Sequence, residues 1–278
     1  MGLTIFQAVA DANPYLADTW FYMGKMHCSL NNILEAVTAY EYAIAINESF
    51  IDAYCALAET YFEEGLYEKA IELLYTANAE SPEPNAEIQY LLGFNHEQIN
   101  ATGKAKAFYT EAIKTNPAHH QARFALGSLF VKDRNWQAAT WQFEKCTQLH
   151  RLIPEYWFAT ADAYAQTENI EQACTNFQQG LKHTQHPDFW LTYVSYLLAN
   201  NLAAEALTVL DEADVICMPH PHFQYAKVAA LLLLKKRKTA LQFLHAALAN
   251  YPAEKYFLLD IFPELVKDYE VLRLLKQQ

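Results

Sequence analysis

Residues 20–47 read WFYMGKMHCSLNNILEAVTAYEYAIAIN. The stretch is helix-forming throughout, yet it carries Gly24, and a helix-interior glycine costs about 1 kcal/mol relative to alanine. Such a glycine serves either a site or a close approach of neighbouring helices. Its context recurs. Ala36, Tyr40 and Ala43 return as Ala70, Leu74, Ala77, then Ala105, Tyr109, Ala112, then Ala139, Phe143, Cys146. The series continues as Ala173, Phe177, Gly180, then Ala206, Leu210, Ala213, and finally Ala240, Leu244, Ala247. The leading alanines are spaced 34, 35, 34, 34, 33 and 34 residues apart. Twelve positions before each stands a small or modest residue: Gly24, Ala58, Gly93, Gly127, Ala161, Val194 and Val228. An aromatic often precedes that residue by four, as at Trp20, Tyr54, Trp157 and Trp190.

This order of Trp, Leu-Gly, Tyr, Ala, Phe and Ala in about 34 residues resembles the tetratricopeptide (TPR) repeat. The resemblance implies an all-α, right-handed superhelical solenoid in which each repeat is an antiparallel pair of helices, A and B, stacked on the next. It implies that Gly24 lies where helices cross closely and is a packing residue. The repeats are read as 17–50, 51–85, 86–119, 120–153, 154–186, 187–220 and 221–254, within a single array spanning 1–278. Residues 3–13 read as a B helix without its A helix, with Ile5, Phe6 and Val9 as its apolar face. A chain cut from a longer array and a short natural terminus both fit that reading. Residues 255–278 read as capping helices, the last running from Pro263 to Lys276 with a polar outer face. Phe262-Pro263-Glu264-Leu265 followed by Glu270-Val271-Leu272 is also similar to the end of certain long bacterial TPR proteins.

Composition narrows the function classes. The chain is 53% hydrophobic with a net charge of −12, which disfavours nucleic acid and anionic membrane surfaces as partners. Residues 1–100 carry 15 acids against only Lys25 and Lys69. No apolar run reaches the ~18 to 20 residues of a membrane span, and Met1 to Phe6 has neither half of a secretory signal. Five cysteines without a CxxC pair read as reduced thiols, hence a cytoplasmic setting.

Chemistry finds little support. The histidines at repeat junctions (His119, His120, His150, His183, His186, His220, His222) lie too far apart to converge on zinc in most combinations, so no metal and no cofactor is expected. His27 and His96 stand where the pattern has Tyr and read as packed aromatics. No phosphate loop or hydrolase motif occurs, and the chain reads as non-enzymatic. Lys235-Lys236-Arg237-Lys238 reads as a turn complementing a helix C-terminus.

The resemblance places binding on the concave face lined by A helices. The Lys, Arg and Asn positions of TPR carboxylate clamps are not matched here. The candidate groove is instead aromatic and acidic: Phe21, Tyr90, Phe94, Phe124, Phe158, Leu191 and Tyr225, with Glu59, Glu63 and Glu97. The expected partner is a protein or peptide with a basic segment. The alternative is an assembly subunit that self-associates through its N-terminal end.

Overall fold

The structure is a computed structural model and describes residues 2–276. Among them are seventeen α-helices and two short 3-10 segments, with no strand. The chain divides into two compact units, residues 1–151 and 152–278, where the sequence reading has one array.

The first unit holds α1 (Gly2–Ala12), α2 (Ala17–Ser29), α3 (Ile33–Ile46), α4 (Ile51–Glu63), α5 (Tyr67–Glu80), α6 (Ala86–Gln98), α7 (Thr102–Thr115), α8 (His120–Lys132) and α9 (Trp136–Leu149). Each helix packs on the next, and α2, α4, α6 and α8 also pack on one another in turn. The second unit holds α10 (Pro154–Gln166), α11 (Ile170–Leu181), α12 (Pro187–Ala199), α13 (Ala203–Ile216), α14 (Pro221–Leu233), α15 (Arg237–Asn250), α16 (Phe257–Ile261) and α17 (Tyr269–Lys276). There α12 packs on α14, and α14 on α16.

Gly24 is a packing residue, as its recurrence implies. A Cβ on Gly24 would stand 2.5 Å from the Tyr40 ring, on Gly93 2.6 Å from Tyr109, and on Gly127 2.5 Å from Phe143. The ring four residues after the leading alanine lies flat against the glycine. A helix therefore gives up about 1 kcal/mol of propensity to seat a buried aromatic.

A second periodicity appears only in the backbone. Asn31, Gly65, Asn100, Arg134, Glu168, Asn201 and Lys235 all have φ between 57° and 72°, one at each turn from an A helix to its B helix. The left-handed region suits Gly and Asn, and other L-residues pay about 1–2 kcal/mol there. Arg134, Glu168 and Lys235 adopt it because the turn requires it.

Two local expectations are corrected. The final helix does not run unbroken from Pro263. Residues Pro263–Lys267 form a 3-10 turn, and α17 starts afresh after Asp268. Asp268 is extended and accepts from the Val271 amide at 3.2 Å, the geometry of a helix N-cap. The Lys/Arg run does not simply follow an A helix either. Arg237 opens α15, at the wrong end of its dipole. Its charge is taken by Asp268 at 2.5 Å and Glu270 at 2.8 Å.

Candidate partner-binding trough

On α4, Asp52, Cys55, Ala56, Glu59, Thr60 and Glu63 follow one another at steps of three, one, three, one and three residues, the spacing of one helical face. That face meets Phe21, Tyr22, Lys25 and Cys28 of α2, and together they line a trough of about 530 Å³ in the first unit. Tyr40 of α3 closes it from below, its hydroxyl 3.6 Å from the Cys28 thiol. The wall is held in place: Thr60 donates to the Ala56 carbonyl at 2.8 Å and lies 3.5 Å from Cys28 Sγ.

Three acids line this trough against one base. Desolvation in the trough pushes the Glu59 carboxyl up, and the like charges of Glu87 and Glu63 push it further, with Lys25 opposing them. The Lys25 ammonium lies 5.4 Å from the Phe21 ring centre, within the range of a cation–π contact. Cys55 is buried in the trough wall. Burial, then the charges of Glu87, Glu59 and Asp52, push its thiol up to about 12, whereas reactive thiols need electropositive surroundings.

The other expected site residues divide. Phe94 and Tyr90 do not line the trough. Phe94 stacks on Phe62 with ring centres 4.4 Å apart, and Tyr90 stacks on Phe94 at 5.9 Å. Glu59 and Glu63 are in the trough. Glu97 is already engaged, accepting from Tyr109 at 3.1 Å and from Lys132 at 2.7 Å. Phe124 is half-buried and tilts against Phe143 at 5.4 Å.

In the second unit the stripe is core, and three of the expected groove residues are corrected. Phe158, Leu191 and Tyr225 are buried in one cluster, and the Tyr225 hydroxyl donates to the Tyr251 carbonyl at 2.8 Å. Repeat position 5 explains this. Its ring packs on a residue at the cap or in the first turn of the next A helix: Phe21 on Phe50 at 5.1 Å, Tyr90 on His119 at 5.0 Å, and Phe158 on Phe189 at 4.7 Å. The stripe therefore works between repeats more than towards a ligand. Tyr22, one residue further round α2 and half exposed, lines the trough and was missed, because position 6 carries no recurring signal.

His96 is a packed aromatic, stacked on Phe108 at 5.5 Å. Among the described residues no group of three or more His, Cys, Asp or Glu side chains is placed to hold a metal ion. No helix there is long and apolar enough to cross a membrane.

Antiparallel helix pairs in series, with a small residue under each inner ring, define a helical-repeat protein. Family models agree on which kind: TPR repeat at residues 24–65, and tetratricopeptide repeat at 51–83 and 86–119. Over those residues the chain carries tetratricopeptide repeats. It is 23% identical over 208 residues to TPR repeat-containing protein YpiA of Bacillus subtilis, covering 74% of this chain and 49% of that protein. It is 24% identical over 141 residues to the anaphase-promoting complex subunit CDC16 of Saccharomyces cerevisiae, covering 51% and 17%. The chain thus spans less than half the length of these relatives. Among solved structures it is similar in fold to the Cut9 and Hcn1 hetero-tetramer, with a TM-score of 0.59, 20% identity, and 84% of this chain and 45% of that one covered. It is also similar to YrrB, described as a TPR protein with an unusual peptide-binding site, with a TM-score of 0.50, 20% identity, and 66% and 94% covered. At these identities the likeness is one of fold.

Proposed function

We propose that this chain is a non-catalytic interaction scaffold whose first unit docks a partner polypeptide, with Lys or Arg side chains of the partner seated in the trough between α2 and α4. The observation that carries this reading is the single face of Asp52, Glu59 and Glu63 set over Phe21 and Tyr22 and balanced only by Lys25. A cation there offsets the desolvation and the like-charge repulsion that raise Glu59 and gains aromatic faces. Similarity to a TPR protein with a peptide-binding site supports the mode but names no ligand. Five unpaired thiols fit a cytoplasmic setting, and similarity to YpiA fits a bacterial one.

The test is calorimetry on a partner recovered by cross-linking, at low and high salt. Affinity falls with salt, and Glu59→Lys with Glu63→Lys weakens binding at least about tenfold, or about 1.4 kcal/mol, while the thermal melt is unchanged. Unchanged affinity in that double variant refutes the reading.

A second reading, assembly of copies through α1, rests on Ile5, 58% exposed, with Val9 beside it on the same helix. Ile5→Lys abolishes concentration-dependent mass in sedimentation if α1 is the contact and leaves it intact otherwise.

A further inference from the structure

The outer side of the second unit holds a different kind of site. Leu181 of α11, Trp190 and Tyr193 of α12, and Val209 and Ile216 of α13 wall a largely apolar pocket of about 470 Å³. Trp190 is 3% exposed, and its indole N–H has no acceptor. An unpaired buried donor costs about 1–3 kcal/mol, so native structures seldom leave one unexplained.

The same repeat position shows what this donor takes elsewhere. Trp20 Nε1 donates to the Pro14 carbonyl at 2.9 Å, and Arg123 Nε donates to the Pro117 carbonyl at 2.9 Å. In both, a side chain at position 4 is satisfied by the peptide carbonyl six residues earlier, in a proline-containing junction. For Trp190 that carbonyl belongs to Thr184. Here the junction is altered: α11 has 12 residues where α9 and α13 have 14, and the spacing from Ala173 to Ala206 is the short one, 33 residues. The carbonyl that serves Trp20 and Arg123 does not reach Trp190.

Beside the pocket, at the end of α13, a proline-containing junction lies open. Val215 is 85% exposed and Met218 75%, and Pro219 follows. An apolar socket with an unmet donor thus adjoins an apolar projection of the kind of segment that meets it in other repeats. The rim is charged in a self-complementary way, Lys182 on the α11 side and Glu205 and Glu212 on α13.

We propose that this face binds a second copy of the chain in an isologous contact. The Val215–Pro219 segment of each copy enters the other's pocket and gives a peptide carbonyl to Trp190, while Lys182 of each copy faces the acids of α13 on the other. This surface is separate from the trough and from α1, and the proposal does not depend on the peptide-docking reading.

Sedimentation velocity across a concentration series, on the full chain, is the test. The wild-type chain moves from the monomer mass to twice that mass. Val215→Lys, a change at a fully solvated position, keeps its melt and stays monomeric, whereas Ile5→Lys dimerises as the wild type does. A wild-type chain that stays monomeric at every concentration overturns the proposal, as does a Val215→Lys chain that still dimerises. A second readout follows the indole N–H resonance of Trp190, assigned by its loss in Trp190→Phe. It shifts with concentration if a carbonyl of the second copy accepts from it. Dimerisation with that resonance unmoved places the contact elsewhere and also overturns the proposal.

Discussion

The buried side chains of the second unit form one cluster running from Phe158 to Leu275, whereas those of the first unit fall into four separate groups. The same repeat pattern underlies both. The units also differ in what interrupts the apolar rows. Thr19, Thr60, Asn95, His96, His119, Arg123, Gln142 and Thr147 are buried in the first unit, against Thr160 and Asn176 in the second. Polar groups inside a helical stack cost stability unless hydrogen-bonded, and several of these bond within their own helix, as Thr60 does to the Ala56 carbonyl and Asn95 to the Leu91 carbonyl. The trough between α2 and α4 lies in this more polar unit, with Thr60 and Cys28 in its wall. At repeat position 5 the second unit carries Phe158, Leu191 and Tyr225, all inside its continuous cluster. A repeat array thus differentiates by the polarity of its inner rows while its frame stays constant.

The largest effect that sharpens this contrast is at Phe158. Phe158→Ala opens a cavity in the continuous core and costs about 3–5 kcal/mol. Tyr22→Ala in the trough costs under about 1 kcal/mol, since the side chain is half solvated. Urea titration of the two variants reads the difference. Equal losses would mean that the trough wall is core as well.

Next is the frame itself. Gly24→Ala places a Cβ against the Tyr40 ring and, despite its gain in helix propensity, destabilises by about 1–3 kcal/mol through overpacking. Ala58 and Leu74 occupy the corresponding two positions one repeat later, both fully buried. Gly24→Ala combined with Tyr40→Leu copies that pair and recovers most of the loss. A double-mutant cycle with no coupling would show that the glycine is not there for the ring.

These cases show how far the sequence carries. The frame was legible because alanine, glycine and the inner ring recur at fixed offsets, and close packing leaves those positions few alternatives. The site was legible only in part. Whether a position-5 ring faces a ligand or a neighbour depends on residues at the cap or first turn of the next A helix, Phe50, His119 or Phe189, and no repeat pattern constrains them. Glu59 and Glu63 could be named because acids pile up in the first hundred residues. Glu97 could not be discounted, because its neutraliser Lys132 comes from the following repeat. The Trp190 donor was hidden for a similar reason: its state depends on a repeat spacing one residue shorter than its neighbours, from Ala173 to Ala206.

A smaller effect tests the turns. Glu168→Gly and Lys235→Gly each relieve a left-handed backbone and raise stability by up to about 1 kcal/mol, the steric gain exceeding the entropy glycine adds to the unfolded chain. Asn201→Gly changes it by only a few tenths, since asparagine already tolerates that region. Thermal melts of the three single variants give the ranking. No gain at either charged position would show that its side chain supplies compensating contacts.

The smallest effect belongs to the end of the second unit. Hydrogen bonding to Arg237, with the Val271 amide assisting against partial burial, holds the Asp268 carboxyl down at about 2. The folded value lies below the unfolded one of about 3.9. The ionised group therefore contributes fully above pH ~4, and its contribution is lost as pH falls from about 4 through 2. Arg237 is about half exposed, so solvent screening limits the amount to below about 1 kcal/mol. Asp268→Asn isolates this term, because asparagine caps a helix about as well as aspartate and only the charge is removed. The wild type and the variant then differ in unfolding free energy at pH 6 and converge as the pH approaches 2. A difference that persists at the acid end would mean that Asp268 acts on α17 as a cap alone, with Arg237 a bystander.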